Sequence, residues 1–260
     1  MKTVTSSKWK LALKVLPIVA VIILLKLVVH QLGWEFLTLN SLFGAIISAN
    51  VFLVGFLISG VLVDYKEAEK IPGELSCSLE VLTDECYITY KSKKSTIARD
   101  FLNDIHDLTA SIIKWLHKKE KTDAVLKRIT GLNDHFLALE SLTQANFIAR
   151  LKNEQSNLRR LITRIHSIRE TSFNPAGYAI AEIISTIMCV GLIFTRIDPY
   201  YESIFFVAFV SFILIYMVML IRDLDNPFGY YETENYADEV SLKPLFDLEK
   251  RIPHELENIT

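Results

Sequence analysis

Cysteine is scarce in this chain: Cys77, Cys86 and Cys189 are the three in 260 residues. None forms a CxxC pair and none has a His pair nearby, which argues against a zinc site or a redox motif. Glycine-rich phosphate loops, GxSxG and HExxH are all missing, so the common signatures of nucleotide, acyl-transfer and zinc-hydrolase chemistry are not there. His106, His117, His135 and His166 are scattered, without metal-ligand spacing, and read as surface or interhelical residues. No charge sign dominates either: Lys and Arg number 28 against 30 Asp and Glu, a formal net charge of -2, which argues against a general nucleic-acid binder. The expectation is a protein that is not an enzyme and carries no cofactor or resident metal.

What is plentiful is apolar surface. The chain is 51% hydrophobic with 22% charged residues, at a mean hydropathy of +0.29, and the two kinds are segregated along it. A helix crossing a bilayer needs about 20 mostly apolar residues, because a rise of about 1.5 Å per residue must cover roughly 30 Å. Four segments qualify: Leu11 to Val29, Leu42 to Val63, Ala176 to Thr195 and Ile204 to Ile221. The first holds Pro17, and Lys14 and Lys26 near its ends, where long side chains can snorkel to the headgroups. It is too long for a secretory signal core and no small-residue cleavage site follows. The second is free of formal charge. The third follows Asn174-Pro175, a helix-start signal, and contains Glu182.

Lys and Arg set the expected direction. The tail before the first span is basic, the connection from His30 to Ser41 has neither residue, and the long middle segment has many of both. Both termini and the middle are therefore expected on the cytoplasmic side of the plasma (inner) membrane, with the cysteines reduced. The expected fold class is all-α: a polytopic membrane protein with four transmembrane helices and a cytoplasmic helical domain between helices two and three. In residues, 1-63 holds spans one and two with a basic tail, 64-173 the cytoplasmic domain, 174-222 spans three and four, and 223-260 a turn and an acidic C-terminal tail.

Within the middle, one proline, Pro72, stands before an expected linker around "PGELSCS". Ile97, Phe101, Ile105, Leu108, Ile112 and Leu116 recur at steps of three or four, predicting a helix from Thr96 with an apolar stripe. A second helix is predicted from Thr122-Asp123 through Val125, Ile129, Leu132 and Phe136, and a third from about Thr143 through Phe147, Leu151, Leu158, Ile162, Ile165 and Ile168. The lysines at 91, 93, 94 and at 118, 119, 121 read as solvated faces, or as attractors of anionic lipid heads or permeating anions.

Span two offers the candidate site. Ser48, Phe52 and Phe56 lie at steps of four, and Asn50 is displaced around the helix. If copies of this helix surround an axis, Phe52 and Phe56 form stacked apolar rings that can close a pore by dewetting. The other reading has the phenylalanines facing lipid while Gly44, Gly55 and Gly60 allow close packing. Glu182 is an intramembrane acid about 10 Å into its helix. It needs a partner or water, and Lys14 or a polar group of span two are the expected partners.

The chain leaves its last span through "RDLDNPFG", where Asn226-Pro227 stops the helix and Gly229 turns the backbone. A final span closed by Asp225, Asn226, Pro227, Phe228 and Gly229 and followed by acids resembles the bestrophins and bestrophin-like membrane proteins. That resemblance implies a pentameric homo-oligomeric ion channel in the lipid bilayer, passing small inorganic ions through a pore lined by span two. Animal bestrophins follow this motif with an unbroken acidic run that clasps calcium. Here Tyr230 and Tyr231 intervene and the acids Glu232, Glu234, Asp238 and Glu239 are spaced out, which leaves them weak calcium candidates. The alternative is a non-conducting interaction scaffold or a membrane-disrupting effector whose cytoplasmic helices sense a partner.

Overall fold

A computed structural model of the chain describes residues 9–170, 175–229 and 240–257. The helices are α1 (Lys10–Gln31), α2 (Ser41–Ala68), α3 (Ile71–Lys93), α4 (Thr96–Leu116), α5 (Thr122–Glu140), α6 (Ala145–Glu170), α7 (Pro175–Phe194), α8 (Tyr200–Leu224) and α9 (Lys243–Glu257). A two-residue strand, β1 (Leu37–Thr38), pairs in parallel with β2 (Thr195–Arg196). Among the described residues the fold is all-α apart from that pair. Among the described residues four helical stretches are long and apolar enough to cross a membrane, with their apolar windows in α1, α2, α7 and α8.

The chain divides into two compact units, residues 1–65 with 172–226, and 66–171 with 227–260. In the first unit α1 packs on α7 and α8, and α7 on α8. One buried cluster gathers Ile22, Val29, Met188, Leu192, Val207 and Leu214; a second joins Val54, Leu57 and Val61 of α2 to Ala181 and Ile221. The opposite surfaces carry large exposed apolar side chains, among them Leu13, Leu24, Phe205 and Phe209. That distribution suits helices solvated by lipid, where an exposed leucine costs nothing. At Gly191 α7 leaves room for α2: a Cβ there would stand 3.3 Å from the Phe43 ring. Asn40 starts α2 by accepting the Phe43 N–H at 2.9 Å, an N-cap that satisfies one of the open amides of the first turn.

The second unit is a helical bundle whose core is built from the stripes expected of it. Phe101, Ile105, Leu108, Ile112 and Leu116 of α4 are buried, as are Val125, Ile129, Leu132 and Phe136 of α5 and Leu151, Leu158, Ile162 and Ile165 of α6, while Arg99, Asp100, Asp104 and Lys114 stay exposed. Two elements differ from expectation. "PGELSCS" is the first turns of α3, with Pro72 in the first turn, where its missing N–H breaks no helical bond. Leu75, Leu79, Leu82 and Cys86 then supply a fourth apolar stripe. The C-terminal segment is likewise no uniform solvated tail: Leu245, Leu248 and Ile252 of α9 are buried in the same core, and Ser76 of α3 donates to the Pro244 carbonyl at 3.1 Å.

Two leucines test this core. Leu158→Ala, at 0% exposure, should cost about 2–5 kcal/mol, whereas Leu137→Ala, at 72%, should stay within about 0.5 kcal/mol of the parent. Denaturant unfolding of the purified chain followed by circular dichroism measures both; equal losses would contradict the assigned core.

Candidate functional site

The candidate pore residues do not share one face of α2. Asn50 is 1% exposed and lies on the buried stripe with Val54, Leu57 and Val61. Its amide donates to the Ser185 hydroxyl of α7 at 3.0 Å. At 100° per residue, Phe52 and Ser48 lie about 160° round the helix from Asn50 and Phe56 about 120°. Accordingly Phe52 is 77% and Phe56 64% exposed. Ser48 is exposed too, and donates to the Gly44 carbonyl at 3.0 Å, which satisfies its hydroxyl within the helix. The structure therefore brings Ser48, Phe52 and Phe56 onto one exposed, almost wholly apolar stripe and turns Asn50 away to hold α2 against α7.

Glu182 has a different partner from those expected. The antiparallel run of α7 and α8 places it beside Arg222, whose Nε and Nη2 donate to the same carboxylate oxygen at 2.8 and 2.7 Å. Lys14 is not involved. Lys26 does not snorkel either: its side chain is fully buried, and its ammonium donates to Glu35 Oε1 and to the Thr195 carbonyl, each at 2.5 Å. Glu35 holds His30 through its other oxygen at 3.0 Å, and the His30 ring stacks on Tyr200 at 3.8 Å. This cluster ties α1 to the β1 connection and to the end of α7. Its signal in the sequence was a lysine inside an apolar run, with Glu35 the one acid in the connection that follows.

The exit motif is tied into the fold at Asp225, Pro227, Phe228 and Gly229, while Asn226 is exposed. The Tyr178 hydroxyl of α7 donates to Asp225 Oδ1 at 2.8 Å, and the Asp225 N–H closes the last turn of α8 on Ile221. Pro227, Phe228 and Gly229 are buried, Phe228 at 0% exposure within the core of the second unit, and the Pro227 carbonyl accepts the Val240 N–H at 3.2 Å. Glu232, Glu234, Asp238 and Glu239, with Tyr230 and Tyr231, lie outside the described residues. Among the described residues no group of three or more His, Cys, Asp or Glu is placed to hold a metal ion.

Several other polar and titratable groups are engaged structurally or buried. His135 stacks on Phe101 at 4.8 Å and meets Asp104 at 2.5 Å. Burial pushes the Cys86 thiol well up, away from the thiolate that nucleophilic chemistry needs. Arg164 clasps Glu67 through two hydrogen bonds of 2.8 and 2.6 Å and holds its carboxyl below the ordinary value.

Glu35 gives a pH test. Burial pushes its carboxyl up, but the hydrogen bonds and positive charge of Lys26 and His30 outweigh that and hold it below the usual 4.5. A carboxyl lowered by folding adds stability that is fully present above its unfolded value and drains as pH falls through the folded one. Glu35→Gln should therefore remove part of the acid destabilisation that sets in below about pH 4.5, leaving a flatter acid limb in thermal melts. An unchanged limb would mean that this cluster does not form.

No protein-family model matches the sequence, and no curated protein matches it. Solved structures do share the fold. A crystal structure of a bacterial bestrophin homologue from Klebsiella pneumoniae, carrying a point mutation, superposes with a TM-score of 0.79 at 15% identity over 94% of this chain and 99% of that one. Two further point mutants of a Klebsiella pneumoniae bestrophin homologue give TM-scores of 0.80 at 14% identity, covering 95% and 98% of the two chains, and 0.77 at 16%, covering 92% and 99%. The chain has the bestrophin-homologue fold along nearly its whole length.

Proposed function

We propose that this protein is an oligomeric channel for small ions, with α2 of each copy as the pore wall and Phe52 and Phe56 as apolar rings of its neck. The observation that carries the reading is the division of α2 into two faces. One is committed to α7 and α8 through Asn50, Val54, Leu57 and Val61; the other presents Phe52 and Phe56 outward, with no covering helix in its own four-helix unit. Stacked around an axis, such phenylalanines form a constriction that is wetted or emptied as a whole and selects by size and hydration more than by charge sign. Asn50 is not part of this wall. The fold shared with bacterial bestrophin homologues supports assembly of identical copies, five being the number the resemblance implies.

In this reading the chain is a multi-pass protein of the inner membrane with both termini cytoplasmic, the direction that its Lys and Arg placement favours. The residues from 64 to 173 form the cytoplasmic vestibule and assembly surface. No catalytic step is assigned to it.

Salt flux from liposomes containing the purified chain tests the reading. Phe52→Ala with Phe56→Ala should raise flux by about threefold or more by widening and wetting the neck. Phe205→Ala with Phe209→Ala, which are also exposed but on α8, should leave it unchanged. A monomeric mass in detergent, or no flux from either protein, would favour a non-conducting scaffold instead.

A further inference from the structure

The connection from α1 to α2, His30 to Ser41, has one side chain of permanent charge, Glu35. That side chain is turned inward: it is 11% exposed, and its two oxygens are taken by Lys26 and His30. The backbone around it is held in place. Gly33, in the left-handed region at φ 69°, gives its N–H to the His30 carbonyl at 3.1 Å, and the Trp34 N–H reaches the Val29 carbonyl at 3.0 Å. Leu37 and Thr38 then pair with Thr195 and Arg196. As in a strand, where neighbouring side chains alternate between faces, the residues on either side of Glu35 point the other way. Trp34 is 60% and Phe36 71% exposed.

Leu32 and Leu39 extend this outward surface. Because the His30 ring stacks on Tyr200, α8 begins at the same end of the unit, and its Tyr201 is exposed there too. A connection that meets water ordinarily presents polar side chains. Here the one charge is withdrawn, and what faces out is tryptophan, phenylalanine and leucine. Apolar surface gathered in this way marks an interaction site. Its chemistry identifies the partner. Tryptophan and tyrosine, each an apolar ring with a polar tip, concentrate where lipid headgroups meet acyl chains. The Trp34 indole N–H makes no hydrogen bond among the described residues, which leaves it for a lipid ester or phosphate oxygen. The surface also runs on from apolar faces of the same unit that suit lipid, through exposed Leu24 and Val28 of α1 and exposed Phe205 of α8.

We propose that this connection is an interfacial anchor, with Trp34, Phe36 and Leu39 seated at the boundary between the headgroups and acyl chains of one leaflet and Glu35 withdrawn beneath them. The partner is the bilayer itself, held by apolar contact, since the segment has no Lys or Arg to seek anionic heads. Asn40, which caps α2, follows directly, so the anchor fixes the depth at which α2 begins. The inference requires only that the apolar helices cross a membrane and does not rest on conduction.

The test uses the full chain in phosphatidylcholine nanodiscs, where both faces are open to solutes. Trp34→Phe leaves Trp9 and the buried Trp115 in place, so the difference from the parent chain is the emission of Trp34. Phosphatidylcholine brominated near the top of its acyl chains should lower that emission about twofold or more, and bromine at the chain ends or iodide in the water clearly less, the pattern of a ring at the interface. Quenching by iodide without quenching by shallow bromine would place the connection in water. Protection from iodide and bromine alike would place it under protein, such as a second copy of the chain, and strongest quenching by chain-end bromine would place it in the hydrocarbon. Any of these three results overturns the proposal, and none of them bears on whether the chain conducts.

Discussion

Hydrocarbon offers a polar side chain no partner, and the first unit is organised around that constraint. Several polar groups that its apolar helices carry into the unit are met from another element: Lys26 by Glu35 and the Thr195 carbonyl, the Asn50 amide nitrogen by Ser185, Glu182 by Arg222, and Asp225 by Tyr178, while Asn50 Oδ1 and the buried hydroxyls of Tyr200, Ser203 and Ser211 have no partner among the described residues. In water such pairs contribute little, because each partner is well solvated alone. Within a membrane the comparison is with an unmet charge or amide, which is far costlier, so the pairs restrict which helices can be neighbours. Lys26 shows the force of this. A fully buried ammonium is tolerable only if α1, the connection after it and the end of α7 converge on one point.

The same constraint explains why some features were legible in the sequence and others were not. Apolar runs of span length and apolar stripes at helical spacing are properties of one segment, and the four spans, α4, α5 and α6 were readable from them. Pairing is a property of two segments. Nothing within α7 says that the partner of Glu182 is Arg222, forty residues later, because that depends on the antiparallel register of α7 on α8. Lys26 was read as snorkelling because it lies near the end of its run; the unread fact was an acid nine positions on, brought back under it by the turn through Gly33 (φ 69°).

Two local rules were outweighed in the second unit. Pro-Gly ordinarily punctuates a chain, yet at Pro72 and Gly73 it lies in the first turns of α3, where proline is tolerated and the long stripe from Leu75 to Cys86 outweighs the cost of one glycine. The segment after the last span reads as acidic and polar on average. Averages hide α9, whose short stripe of Leu245, Leu248 and Ile252 becomes decisive once a groove between α3 and α4 is there to receive it. For the candidate site, spacing identified Ser48, Phe52 and Phe56 as one stripe, but composition alone pulled Asn50 toward the same role. Its amide is better explained by Ser185, since a group that needs a hydrogen bond goes where one is found.

Three residues of the exit motif have tasks set by the architecture. Asp225 must be a carboxylate of that length to reach Tyr178 while closing α8; Pro227 ends the helix and leaves its carbonyl to Val240; Phe228 fills a core position at 0% exposure. Each is fixed by backbone geometry or by the volume of a buried site, and such requirements admit few substitutes, whereas a lipid-facing position admits any apolar side chain. The motif therefore reports architecture, and the weight of a functional reading falls on α2, where the exposed phenylalanines satisfy no packing requirement of their own unit.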